Sequence, residues 1–198
     1  MQTNIMWTGL EYASMENCLV DTTEKGTEIN SVIVGSCGSK IFKVEYRIRT
    51  NPRWETLFVE ARSQHSDQFQ YLRLESDGQG NWQSQGKPAP QFNGCMDIDI
   101  SITPLTNTLP INRLKLFPGT SQEIQVVYLD LLEQQMVPAR QKYSCLSKTS
   151  YQYENVPNDF EAVITVDELG LVVDYPRLFV RKASLNSNYL VNNIIGKN

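Results

Sequence analysis

A chain of 198 residues with 40 % apolar and 20 % charged residues is long enough to bury a full core in one domain without disulfide or metal staples. Its formal charge of −4 excludes a general electrostatic attraction to nucleic acid or anionic membranes. No stretch approaches the ~18–20 consecutive apolar residues of a membrane span. Residues 1–12 lack the basic and apolar regions of a signal peptide, so a cytoplasmic protein is expected.

In chain order, the first clear element covers residues 41–50, with a shorter strand expected at 31–34. Phe42, Val44, Tyr46 and Ile48 alternate with Lys43, Glu45, Arg47 and Arg49, which is the period of a strand with one wet face. Residues 54–61 and 68–75 also read as strands. Ser76-Asp77-Gly78-Gln79-Gly80 then predicts a hairpin turn, because glycine supplies the positive φ that such turns need. Residues 95–103, 113–117, 123–129, 141–146 and 150–154 are further strand candidates, and 129–137 fits either a strand or a helix. A second hairpin is expected from 160–166, through Asp167-Glu168-Leu169-Gly170, to 171–175. The one helix predicted is short, near 106–114. Thr106 or Asn107 would cap it, and Pro110 would fall in its first turn. The expectation is a mostly β domain over residues 1–183, followed by a polar tail over 184–198 that frays.

Few residues offer chemistry. The single histidine, His65, lies in a polar run and reads as a solvated loop residue. It leaves a Ser–His or Cys–His site without a base. Cys18, Cys37, Cys95 and Cys145 are too widely spaced for zinc and are expected to be free and buried. No phosphate-binding or dinucleotide fingerprint occurs, so neither cofactor nor metal is expected.

The unusual segment is 94–104. Met96, Ile98, Ile100 and Ile102 share one strand face, and Asp97 and Asp99 share the other. Aspartate is depleted in strands. Two aspartates ~6.5–7 Å apart along a face are either solvated, the lining of a polar pocket, or an acid/base pair at a glycosidic bond. Arg113 or Arg73 would be the cation that offsets them. Most of the aromatics Trp54, Trp82, Tyr143, Tyr151, Tyr153, Tyr175 and Phe179 should be core, with a few lining a cavity.

These residues carry a resemblance to a known family. Met6-Trp7, Tyr46, Trp54, the run 74–82 and the block Gly94-Cys95-Met96-Asp97-Ile98-Asp99 resemble the putative glycolipid-binding family. So do 103–111, Gln141-Lys142-Tyr143, Tyr153 and 170–181. The resemblance implies an antiparallel, many-stranded sheet curled as a spiral β-roll around one short helix, often dimeric, with a shape similar to bacterial periplasmic lipoprotein carriers. It departs from the family at Asn112, where a second arginine usually precedes Arg113. The expected function is binding, without chemistry, of a glycolipid or other amphipathic small molecule inside the curled sheet. Asp97, Asp99, Asn107, Arg113 and Arg73 would meet the headgroup, and Trp54, Tyr143, Tyr153 and Tyr175 would form walls. The alternatives are a carbohydrate- or lipid-active hydrolase using Asp97 and Asp99, and a homodimeric scaffold without a small ligand.

Overall fold

The computed structural model describes residues 1–38, 40–65 and 68–187. The first half of the chain is a meander of eight antiparallel strands: β1 (Gln2–Gly9), β2 (Ser14–Thr23), β3 (Gly26–Cys37), β4 (Lys40–Thr50), β5 (Thr56–His65), β6 (Gln68–Ser76), β7 (Trp82–Ser84) and β8 (Lys87–Pro88). The second half holds β9 (Asp97–Ile100), a 3₁₀ turn Leu105–Asn107, α1 (Thr108–Leu114), β10 (Ser121–Asp130), β11 (Gln135–Ser147), β12 (Ser150–Val156), β13 (Glu161–Val166), β14 (Val172–Tyr175) and β15 (Phe179–Asn186). Among the described residues these strands form one sheet in the order β8-β7-β6-β5-β4-β3-β2-β1-β15-β14-β13-β12-β11-β10-β9. The first and last strands pair in its middle, while β8 and β9 end it and are not paired with each other. The fold is therefore mostly β with one short helix, as expected, in a curled open sheet that departs from the expected antiparallel pairing only where β9 pairs in parallel with β10.

The inner face is the apolar half of each alternation. In β4, Phe42, Val44, Tyr46 and Ile48 are buried and the charged residues between them face out. Both hairpins form as read. Asp77 accepts hydrogen bonds from the backbone N–H of Gln79 and Asn81, and Asp167 accepts from those of Leu169 and Leu171. Glycine is needed where the sheet curls back on itself. The Gly94 N–H donates to the Gly80 carbonyl at 2.9 Å, and a Cβ on Gly80 would stand 3.2 Å from the Gly94 backbone.

Five expectations change. Strands β1, β2 and the start of β3 went unread, because Thr3, Ser14, Glu16, Thr27 and Ser31 occupy buried positions and break the apolar pattern. Residues 113–117 form no strand. Arg113 and Leu114 finish α1, and Lys115 takes a left-handed φ of 49° as its cap. Neither Thr106 nor Asn107 caps α1 through its side chain, since a 3₁₀ turn leads into the helix and both side chains are engaged elsewhere. His65 is not a solvated loop residue: it ends β5 on the inner face and is buried. β15 also takes up Ser184, Leu185 and Asn186 of the expected tail, and residues 188–198 lie outside the described residues.

Candidate functional site

The chain between β9 and β10 determines the site. These two strands pair in parallel, Asp97 beside Val126 and Asp99 beside Tyr128. A parallel pair needs a crossover, and here the crossover is the 3₁₀ turn and α1, which pack inside the curl. As a result β9 is covered on both faces. Ile98 and Ile100 enter the larger apolar cluster with Trp7, Ile29 and Leu74. Asp97 and Asp99 face a second cluster built from α1 and strands β10–β15, around Tyr143, Tyr153, Tyr175 and Phe179.

Arg113, in the last turn of α1, meets Asp97. Its Nε lies 3.0 Å from Oδ1 and its Nη2 2.5 Å from Oδ2, a bidentate ion pair in which Asp97 is fully buried. Burial pushes the Asp97 carboxyl up and Arg113 opposes that shift. Asp99 is half-buried and has a different environment. Gln141 Nε2 donates to its Oδ2 at 2.6 Å and the Thr106 hydroxyl to its Oδ1 at 3.1 Å. Burial raises this carboxyl as well, against those two bonds. Beside it the Tyr143 hydroxyl donates to Asn107 Oδ1 at 2.8 Å, and Asn107 Nδ2 donates to the Pro104 carbonyl.

The tyrosines form an aromatic layer. The rings of Tyr143 and Tyr153 lie 5.5 Å apart edge to face, and Tyr153 stands 6.2 Å from Tyr175 and 6.1 Å from Phe160. Burial, Asp99 and neighbouring phenols hold the Tyr143, Tyr153 and Tyr175 hydroxyls well above the usual phenol range, so all three stay protonated.

Seven of the nine residues singled out from the sequence therefore meet: Asp97, Asp99, Asn107, Arg113, Tyr143, Tyr153 and Tyr175. Two do not join them. Arg73 is exposed on the outer face, paired with Glu75 at 2.6 Å and set over the Phe58 ring, so of the two arginines it is Arg113 that meets an aspartate, Asp97. Trp54 sits in the β4–β5 turn with φ +64° and packs, half-buried, against the larger cluster. Gln141 and Thr106 were missed. Gln141, Tyr143 and Cys145 alternate on one face of β11, which was the available signal. Glu16 was missed too. This carboxyl, 3 % exposed, accepts hydroxyl bonds from Tyr46, Ser31 and Thr103, and burial raises it from 4.5 to about 6.

Between α1 and the sheet, Tyr143, Tyr153, Tyr175 and Phe179 are buried together in one cluster. Clefts of about 520 Å³ beside the β6–β7 turn and about 440 Å³ beside Arg113 open at the surface, and other residues line them than Tyr143, Tyr153 and Tyr175. A pair of accessible carboxylates, which a glycoside-cleaving site requires, is not what Asp97 and Asp99 provide, since Asp97 is closed off. Among the described residues no three His, Cys, Asp or Glu side chains group as metal ligands, and no helix is long and apolar enough to cross a membrane. The four cysteines are free; Cys18, Cys95 and Cys145 are buried as expected, whereas Cys37 is exposed.

Residues 4–181 match the family described as putative glycolipid-binding. Among solved structures the chain is similar to the crystal structure of a DUF1089 family protein from Pseudomonas aeruginosa. The TM-score is 0.78 and the identity 33 %, over 84 % of this chain and 92 % of that chain. No curated protein matches.

Proposed function

The chain belongs to the putative glycolipid-binding family, and we propose that it binds an amphipathic molecule, its headgroup at Asp99 and its alkyl chain against the aromatic layer. The observation that carries this reading is Asp99, a half-buried residue whose carboxyl is held by the neutral Gln141 and Thr106 on the side of the tyrosine cluster. A polar group held by neutral donors at the edge of an apolar layer is what a headgroup-and-tail ligand matches. Leu114, Leu116, Phe160 and Leu178 fringe the layer half-exposed and extend the surface for the tail. Each methylene moved out of water there contributes about 0.8 kcal/mol. Arg113 and Asn107 hold the walls in place through Asp97 and Tyr143 and do not contact the ligand.

Native mass spectrometry of protein purified without detergent is expected to show a bound lipid. Titration with octyl glucoside below its micelle concentration is expected to perturb the tyrosine fluorescence. Protein that carries no lipid and gives no response to the glycoside refutes the reading. That outcome favours a scaffold that associates through its sheet without a small ligand, and sedimentation would then report the assembly.

A further inference from the structure

The two ends of the sheet are finished differently. β8 has two residues and one of them is Pro88, which blunts that edge. At the other end, β9 covers only residues 126–129 of β10. The chain before β9 leaves the sheet: the Met96 N–H still reaches the Gln125 carbonyl at 3.0 Å, but the Gly94 N–H goes to the Gly80 carbonyl. Residues 121–125 of β10 are therefore bonded to β11 on one side and, among the described residues, to no strand on the other. The ladder fixes which groups face the open side. Met96 meets Gln125 on the β9 side, and the Cys145 N–H meets the Thr120 carbonyl on the β11 side. With the period of two along a strand, the main-chain groups of Ser121, Glu123 and Gln125 point to the open edge. Neither proline nor lysine stands in this stretch, and its register carries no bulge.

The same edge borders the cleft of about 440 Å³, whose lining includes Met96, Arg113, Ile124 and Arg140. Arg113 gives its Nε and Nη2 to Asp97, and among the described residues its Nη1 donates to nothing. Arg140 stands across from Gln125 on β11, is exposed, and is in none of the ion pairs among the described residues. The acids nearby already face cations: Asp97 meets Arg113, Glu55 meets Arg53, and Glu123 stands opposite Lys142 in the ladder. Open main-chain groups match an extended backbone, and unused guanidinium N–H groups match a carboxylate. A small anion would leave the edge unused. A strand laid along 121–125 parallel to β9 ends where β9 begins, beside Arg113; an antiparallel one would set its N-terminal ammonium there. We propose that residues 121–125 take an extended peptide as an added parallel strand, its free C-terminal carboxylate on Arg113 with Arg140 at the rim. This site uses other residues than the amphipathic ligand proposed above and does not depend on it.

The probes are a mixture of N-acetylated pentapeptides of Val, Thr, Ile and Ser with free carboxylates, the same mixture amidated at the C-terminus, and sodium acetate. Titration of the full chain reads affinity, and amide hydrogen exchange reads the place. The free acids are expected to slow exchange at Ser121, Glu123 and Gln125 and to bind about tenfold or more tighter than the amides. Acetate is expected to leave those amides unprotected. Glu123→Pro removes an N–H that the ladder with β11 does not use, and is expected to weaken binding of the free acids about fivefold or more. Arg73→Ala, on the outer face of β6, is expected to bind as the unaltered chain does. Binding without protection of the three amides, equal binding of acids and amides, protection by acetate, undiminished binding by folded Glu123→Pro, or no binding at all overturns the proposal. The octyl glucoside titration then still decides the amphipathic reading by itself. The comparison of acids, amides and acetate on the unaltered chain decides the matter even if Glu123→Pro fails to fold.

Discussion

Replacing Glu16 by glutamine is expected to change how the stability of this protein responds to pH. Glu16 lies on the inner face of β2, and its three hydroxyl donors come from β3, β4 and the turn after β9. Among the described residues no cation joins them, so burial dominates and the carboxyl rises from 4.5 to about 6. Between those values the folded chain holds a proton that the unfolded chain has lost. The stabilisation from this group is therefore complete below the unfolded value and disappears as pH rises through about 6. At 1.36 kcal/mol per pH unit the difference is worth about 2 kcal/mol. Urea unfolding of both proteins at about pH 4.5 and about pH 7.5 measures it. The unaltered chain is expected to lose about 2 kcal/mol more than Glu16→Gln across that interval. Comparing the two proteins cancels the titration of Asp97 and Asp99, whose carboxyls are raised as well. Parallel pH dependences, or a greater loss in the variant, would refute the reasoning.

Three other outcomes are expected. Arg113→Met leaves the fully buried Asp97 without its partner and should cost about 3–5 kcal/mol in urea unfolding. Combining it with Asp97→Leu should recover most of that loss, and no recovery would mean that the pair is not coupled. Gly26→Ala places a Cβ 2.0 Å from the Thr50 carbonyl oxygen at a φ of +131°, so thermal melting should show destabilisation of more than about 1 kcal/mol. In the native protein a thiol reagent should titrate Cys37 alone, and Cys18, Cys95 and Cys145 only after denaturation. Rapid reaction of all four under native conditions would contradict the burial of the other three.

The fold was most legible where one strand face is wet. In β4 each charged residue between two apolar ones marks the outer face, and the two Asp-Gly-bearing or Gly-ending turns mark where the chain reverses. It was least legible over residues 1–30. There the inner face carries Thr3, Ser14, Glu16 and Thr27, which composition assigns to the surface; Glu16 is made tolerable inside by three hydroxyl donors and Thr27 by the Thr22 hydroxyl. His65 was misplaced for the same reason, as a polar residue in a polar run. The site divides similarly. The aspartate pair stood out because strands avoid aspartate. The roles of its two members did not, because Asp97 and Asp99 look alike in the sequence and differ only in which side chain faces each.

By itself, the amino-acid order determined the period-two alternation, the turns, the short helix and the residues worth watching, since these depend on neighbours within a few positions. Tertiary structure alone decided that Arg113 rather than Arg73 meets Asp97, that Gln141 and Thr106 hold Asp99, and that rings occupy the middle of the roll. Those pairings span from 7 to 42 positions of chain. They exist because the parallel crossover between β9 and β10 folds α1 into the curl of the sheet, a contact that no local pattern encodes.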